Sequence, residues 1–294
     1  MELARLNPGQ TAILCMDAMQ AYRGADIGTS KPTAAERAEV PHGGLDLCDL
    51  GSRFDVAQYL NHAKTFLREQ HDAGRRVIIV GGTGLYFRAL TRGLCEAPQG
   101  SDELRAELNG LPVEKLQARL RASDPAMLER IDASNQRRLV RAIEVVEATG
   151  KSLSTWQDET PEPLVKDFTA VWIQREKSEL ETRIGVRVEA MFEAGWVEEV
   201  RGLVEQYGAE TVIAFPGIGY RDIAEAIELR GQSRSQMEFG NEEILKRDIC
   251  VATRQYAKRQ LTWFAREPNL QRVMLTGNRS FSAELHTAAL SPLL

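Results

Sequence analysis

Two short, unbroken apolar runs stand out early in the chain. Thr11–Met16 (TAILCM) stops at Asp17, and Arg76–Val80 (RVIIV) stops at Gly81-Gly82. Runs of this length without polar alternation fit strands covered on both faces, as in parallel sheets. Between them, Val56, Tyr59, Leu60, Ala63 and Leu67 recur at helical spacing, which predicts a helix over Val56–His71. Strand, helix, strand is a βαβ unit, and its right-handed crossover sets the two strands parallel. A further helix is expected over Leu85–Leu94.

The pattern then turns helical throughout. Ser101–Leu108, Val113–Ala122, Pro125–Ile131 and Asn135–Thr149 are separated only by short punctuation such as Asn109-Gly110 and Asp124-Pro125. Thr169–Ile173 (TAVWI) reads as a returning core strand. Lys177–Tyr207 follows as a long amphipathic stretch interrupted near Gly195, and Phe215–Arg221 forms a Gly-rich turn into a helix at Asp222–Leu229. A basic helix over Glu242–Phe264 and a strand over Arg272–Leu275 close the pattern, with no internal repeat. The expected organisation is an α/β core of residues 1–100 plus 168–294, with residues 101–167 as an all-helical insertion.

Composition narrows the class. The 294 residues are 43% hydrophobic and 27% charged, ordinary for a soluble globular protein. A net charge of −5 means that any nucleic-acid site must come from local clusters of Arg and Lys. Cys15, Cys48, Cys95 and Cys250 form no C-x-x-C pair, which argues against a zinc site or a disulfide framework and for a reducing cytoplasm. No apolar run reaches membrane length and no signal-peptide pattern opens the chain, so no membrane partner is expected.

Candidate chemistry gathers where parallel strands end. Asp17 and Gly81-Gly82-Thr83-Gly84 both follow strands that a βαβ unit places side by side, and ligands collect at such carboxyl ends. The plain alternatives are a turn residue for Asp17 and a tight βα turn for the glycines. Two basic clusters interrupt the acidic whole: Gln136-Arg137-Arg138-Leu139-Val140-Arg141, and Arg254 to Gln260 leading into Thr262 and Trp263. The second interleaves cations with Tyr256, Trp263 and Phe264, suited to a phosphate backbone and a stacked base, although a charged helix face is usually just solvated.

Taken together, these segments resemble one family. Asp17-Ala18-Met19-Gln20-Ala21-Tyr22-Arg23 with Asp26-Ile27-Gly28-Thr29-Ser30-Lys31-Pro32 looks like the D-S-x-Q-V-Y-R…D-I-G-T-A-K-P signature of tRNA dimethylallyltransferases. Val40-Pro41-His42-Gly43-Gly44-Leu45-Asp46, VGGTGLYFRAL (Val80–Leu90), NQRRLVRAIEV (Asn135–Val145), GIGYR (Gly217–Arg221) and AKRQLTWF (Ala257–Phe264) follow in the family's order. The resemblance implies a P-loop-type parallel sheet flanked by helices, with a helical insertion. It also implies transfer of a dimethylallyl group from dimethylallyl diphosphate to the exocyclic amine of the adenosine 3′ of the anticodon, a base that must be pulled from its stack.

By the same resemblance, Asp17 is the catalytic base, Thr83 contacts the reacting centre, and Arg221 neutralises the leaving diphosphate. Ala18, Met19, Gln20, Arg105, Gln136, Arg137, Arg138, Leu139, Val140, Gly219, Tyr220, Lys258, Arg259, Gln260, Thr262 and Trp263 would meet the tRNA anticodon stem-loop, with Gln20 reading the adenine. Mg²⁺ between phosphate oxygens is expected of this chemistry, and nucleotide binding of the resemblance; a monomer in the cytoplasm is the further expectation.

The sequence departs from the family in one large respect. The family's opening strand and its G-P-T-x-x-G-K-S/T loop have no counterpart, because no G-x-x-x-x-G-K-S/T occurs in these residues. Only Met1–Gln10 precede the Thr11–Met16 strand, and Glu2-Leu3-Ala4 resembles the end of the helix that follows the loop. The expectation is a wrongly placed start or a shortened chain, with weak or absent transfer. A gap is also expected in the sheet, where each unpaired buried backbone group costs about 1–3 kcal/mol. Ala18 for Ser, Gly43 for His and Pro216-Gly217 for Arg-Cys are smaller departures. Three other readings stay open: an adenylate isopentenyltransferase acting on free nucleotide, a catalytically impaired tRNA-binding paralogue, and a kinase-like phosphotransferase.

Overall fold

The computed structural model describes residues 1–7, 9–159, 162–231 and 239–276. These residues divide into two compact units. One comprises the chain up to Phe87 and from Asp167 onward, the other Arg88–Lys166.

The first unit begins with α1 (Glu2–Arg5), β1 (Thr11–Cys15), α2 (Ala34–Glu39), β2 (His42–Gly43), α3 (Val56–Asp72), β3 (Arg76–Val80) and α4 (Gly84–Arg92), the last running on into the second unit. All five residues of β1 are buried, as an uninterrupted apolar run requires. It pairs in parallel with β3 from Thr11↔Arg76 to Cys15↔Val80, and with β2 on its other side. The crossover helix α3 starts cleanly because Asp55 caps the N–H groups of Ala57 and Gln58 while Gln58 returns a bond to the Asp55 N–H.

The second unit is helical: α5 (Asp102–Asn109), α6 (Val113–Ser123), α7 (Pro125–Arg130), α8 (Gln136–Thr149) and α9 (Leu153–Asp158). Leu108, Leu116, Leu120, Met127, Leu139 and Ile143 form its fully buried core, each contributing about 1.5–3 kcal/mol. Asp124 is buried at the α6–α7 joint. It caps the Met127 N–H at 3.1 Å and accepts from Ser154 Oγ at 2.6 Å and Ser154 N at 2.9 Å.

The first unit resumes with β4 (Ala170–Arg175), α10 (Lys177–Glu193), α11 (Trp196–Tyr207), α12 (Ala209–Ala214), α13 (Tyr220–Gly231), α14 (Phe239–Phe264) and β5 (Leu270–Leu275). The long amphipathic stretch breaks where expected: Gly195 has φ 94°, a left-handed conformation that ends α10 and launches α11. Trp196, Val200, Tyr220, Ile223 and Ile249 meet in the core of α10, α11, α13 and α14. Short elements without strong periodicity, α2, α9, α12 and the two-residue β2, go beyond what the pattern predicts.

The described strands form two parallel sheets, β2-β1-β3 and β4-β5. The reason is that β3 bonds only to β1 and β4 only to β5, and no described segment supplies a strand between them. Val80 on β3 is accordingly 52% exposed. No described helix is long and apolar enough to cross a membrane.

Candidate active site

β1 delivers Asp17 and β3 delivers the Gly81–Gly84 turn to the same end of their sheet, as the parallel register dictates. The two are stitched together. Thr83 N donates to the Met16 carbonyl at 3.3 Å, and Ala18 N donates to Thr83 Oγ1 at 3.1 Å. Glycine is required by close approach, since a Cβ on Gly81 would lie 2.1 Å from the Met16 carbonyl oxygen. One on Gly84 would lie 2.4 Å from the Trp263 ring.

Asp17 accepts from Met19 N at 2.8 Å through one carboxylate oxygen. Burial pushes its pKa above the ordinary carboxylate value. The N–H groups of Met19 and Gln20 and the charge of Arg187 pull it part of the way back. The result is a carboxylate with increased proton affinity, the property a general base needs. Gln20 Nε2 donates to the carbonyls of Thr29 and Ser30 at 3.0 and 3.2 Å, so its amide oxygen is the atom left to accept from a ligand.

Helices α10 and α14 complete the site. Arg187 Nη2 donates to Ser30 Oγ at 2.8 Å, and desolvation lowers the Arg187 pKa while Asp17 raises it. Gln260 Nε2 donates to the Gly82 carbonyl at 3.1 Å, and Trp263 packs on Gly84. Tyr256, one turn earlier, has its pKa raised first by burial and then by the Asp17 charge. Asp17, Thr83, Gln20, Gln260 and Trp263 are therefore brought to one place, together with Arg187 and Tyr256.

The remaining expected residues differ in burial and partners. Arg221 is exposed, with Nε donating to the Ile213 carbonyl at 3.0 Å; the cation electrostatically coupled to Asp17 is Arg187. Gly219 and Tyr220 are buried, because the GIGYR turn folds into the Trp196 core. Leu139 and Val140 face the core of the helical unit, leaving Arg137 and Arg138 exposed and Gln136 bonded to the carbonyls of Asn109 and Leu111. Arg105 is tied to the buried carboxylate of Glu144. Lys258, Arg259 and Thr262 are exposed on α14, and Ala18 and Met19 are half-buried beside Asp17. No local pattern distinguishes Arg187 from Arg183 on the same helix; only packing does. The described residues include no group of three His, Cys, Asp or Glu side chains able to hold a metal; magnesium bridging substrate phosphates needs no such group.

Residues 20–267 match the family model described as IPP transferase. The chain belongs to that family. It is 42% identical over 259 residues to a tRNA dimethylallyltransferase of Methylacidiphilum infernorum, covering 88% of this chain and 76% of that protein. A tRNA dimethylallyltransferase of Geobacter metallireducens is 41% identical over 277 residues, covering 92% and 85%. Among solved structures, the tRNA isopentenylpyrophosphate transferase of Bacillus halodurans superposes with a TM-score of 0.63 at 30% identity, covering 97% of this chain and 88% of that one. A eukaryotic dimethylallyltransferase acting on tRNA superposes at 0.75 and 21% identity over 99% of this chain and 73% of that one, a likeness of fold. Within the family, the matched span runs from Gln20 through the Gly turn and Arg187 to α14, so it takes in every site residue named above except Asp17 and its immediate neighbours.

Proposed function

We propose that this chain transfers the dimethylallyl group of dimethylallyl diphosphate to the exocyclic amine of the adenosine 3′ of the anticodon in tRNA. The observation that carries this reading is Asp17, a carboxylate of raised proton affinity beside the Thr83 hydroxyl and coupled to a cation, Arg187. Family membership and relatives named tRNA dimethylallyltransferase support it.

The step balances as a substitution. The amine nitrogen forms a bond to the allylic carbon, the carbon–oxygen bond to diphosphate breaks, and the amine proton passes to Asp17. An aromatic amine is a weak nucleophile until that proton is taken up, so the base acts as the bond forms. Gln20, its amide nitrogen committed to Thr29 and Ser30, presents its oxygen as acceptor for the amine's second hydrogen. Arg187, the cation coupled to Asp17, would offset negative charge growing on the leaving diphosphate, an electrostatic role that does not require proton transfer. Tyr256 and Trp263 offer aromatic faces for the extruded base. Lys258 and Arg259 on α14, and Arg137 and Arg138 on the helical unit, are exposed cations suited to phosphates of the anticodon arm.

The test is prenyl transfer from labelled dimethylallyl diphosphate to an anticodon stem-loop RNA, run beside free adenylate. Label should enter the RNA and not the nucleotide, at a rate below that of a relative carrying the G-x-x-x-x-G-K-S/T loop, which has no counterpart in these residues. Asp17→Asn should lower the rate by about 10²–10⁴-fold, and Arg187→Ala by about 10²–10³-fold. An Asp17→Asn variant as fast as the parent overturns the reading, and label in adenylate alone reassigns the acceptor.

A further inference from the structure

The turn at Asp26–Gly28 is gripped from α11 by a single carboxylate. Glu199 Oε2 accepts from Asp26 N at 2.9 Å and Ile27 N at 2.6 Å, and Oε1 accepts from Gly28 N at 3.5 Å. The buried Tyr220 hydroxyl donates to Oε1 at 2.7 Å. Three successive backbone N–H groups converging on one anion form a nest, an anion-binding concavity. Close packing holds the other side: a Cβ on Gly28 would lie 2.3 Å from the Trp196 ring.

The next two residues are those that orient the site. Thr29 and Ser30 supply the carbonyls that hold the Gln20 amide, and the Ser30 hydroxyl accepts from Arg187. At the far end of the segment, the fully buried Lys31 ammonium bonds Asp26 Oδ1 at 2.7 Å and Asp46 Oδ1 at 2.6 Å, so residues 26–31 are fastened at both ends. Glu199 itself lies outside the group that faces the substrate, and no motif marks it.

We propose that Glu199 is a positioning residue for prenyl transfer: its carboxylate, braced by Tyr220, sets the Asp26–Gly28 turn and through Thr29 and Ser30 fixes the Gln20 acceptor and the Arg187 guanidinium around Asp17. The assignment rests on the transferase reading above. Displacing an acceptor and a cation by a fraction of an ångström affects the transition state more than RNA binding, which draws on many phosphate contacts.

The experiment compares the full chain with Glu199→Gln, which keeps the side-chain volume but turns an amide toward the N–H groups, and with Tyr220→Phe, which removes one donor and leaves the backbone grip. Two readouts are taken. Amide hydrogen exchange of Asp26, Ile27 and Gly28 needs no substrate; it should be slow in the parent and accelerate locally in Glu199→Gln, with the rest of the first unit unchanged. Transfer to the stem-loop RNA should show kcat lower by about 10²-fold in Glu199→Gln, the KM for RNA staying close to the parent's, and a smaller loss in Tyr220→Phe. Parent-like kcat in Glu199→Gln overturns the proposal, as does an equal rise in KM with kcat unchanged, or exchange that accelerates across the whole unit. If Glu199→Gln does not fold, parent-like exchange and kcat in Tyr220→Phe overturn it instead. A parent chain that transfers nothing, with the exchange pattern intact, fails the transferase reading rather than the clamp, and removes the catalytic role assigned here.

Discussion

Asp17 shows how one residue can trade stability for chemistry. Folding moves its carboxyl from water into a half-buried position, and its pKa rises mainly through desolvation. The sign follows directly. A carboxyl whose folded pKa lies above its unfolded value favours folding in the protonated state, and that advantage is lost as pH rises through the folded pKa. Asp17→Asn should therefore melt at or above the parent temperature near neutral pH, with the difference shrinking in acid, as calorimetry across pH would show. In the parent, the acid limb of kcat/KM should fall above the ordinary aspartate value of about 3.9. Lys31 makes the opposite bargain, a fully buried ammonium held by Asp26, Asp46 and the Tyr22 carbonyl. Lys31→Met leaves Asp46 with Arg37 alone and should cost about 3 kcal/mol, read as a shift in urea midpoint.

At the scale of elements, the β3–α4 turn depends on α14 lying against it. Gly84 has room for the Trp263 ring only because it lacks a Cβ, and Gln260 holds the Gly82 carbonyl. Gly84→Ala should force the indole away and destabilise the protein by about 1–3 kcal/mol, measurable by denaturant unfolding. A parent-like midpoint would mean that Trp263 does not pack there. The basic helix anticipated from sequence thus has two faces. Gln260 and Trp263 press on the Gly turn, whereas Lys258, Arg259 and Thr262 stay in solvent. Likewise α8 sends Leu139 and Val140 inward and keeps Arg137 and Arg138 outside, the ordinary consequence of helical periodicity.

For the whole molecule, a net charge of −5 leaves RNA affinity to these local clusters. Binding to an anticodon stem-loop should weaken steeply with salt. Arg137→Ala with Arg138→Ala should reduce the slope of log K against log salt by about 0.9 for each duplex phosphate no longer neutralised, with little effect on the rate once RNA is saturating. An unchanged slope would place the RNA off the helical unit.

The alternation and runs of apolar residues were enough to locate the paired strands at Thr11 and Arg76, the crossover helix, the helices α5 to α8 and the break at Gly195, because those elements follow from local periodicity and a left-handed glycine. Ordered motifs singled out Asp17, Gln20 and Thr83 as candidates, and the fold brings them together. Tertiary packing decided the rest. The sheet's division into β2-β1-β3 and β4-β5 depends on which edges find partners, and a strand's own residues do not encode its neighbour. The coupling of Arg187 rather than Arg221 to Asp17, and the grip of Glu199 on Asp26–Gly28, join residues about 170 apart in the chain. Side chains of ordinary type on regular helices acquire such roles only when folding brings distant backbone to them, and composition and periodicity carry no trace of that meeting.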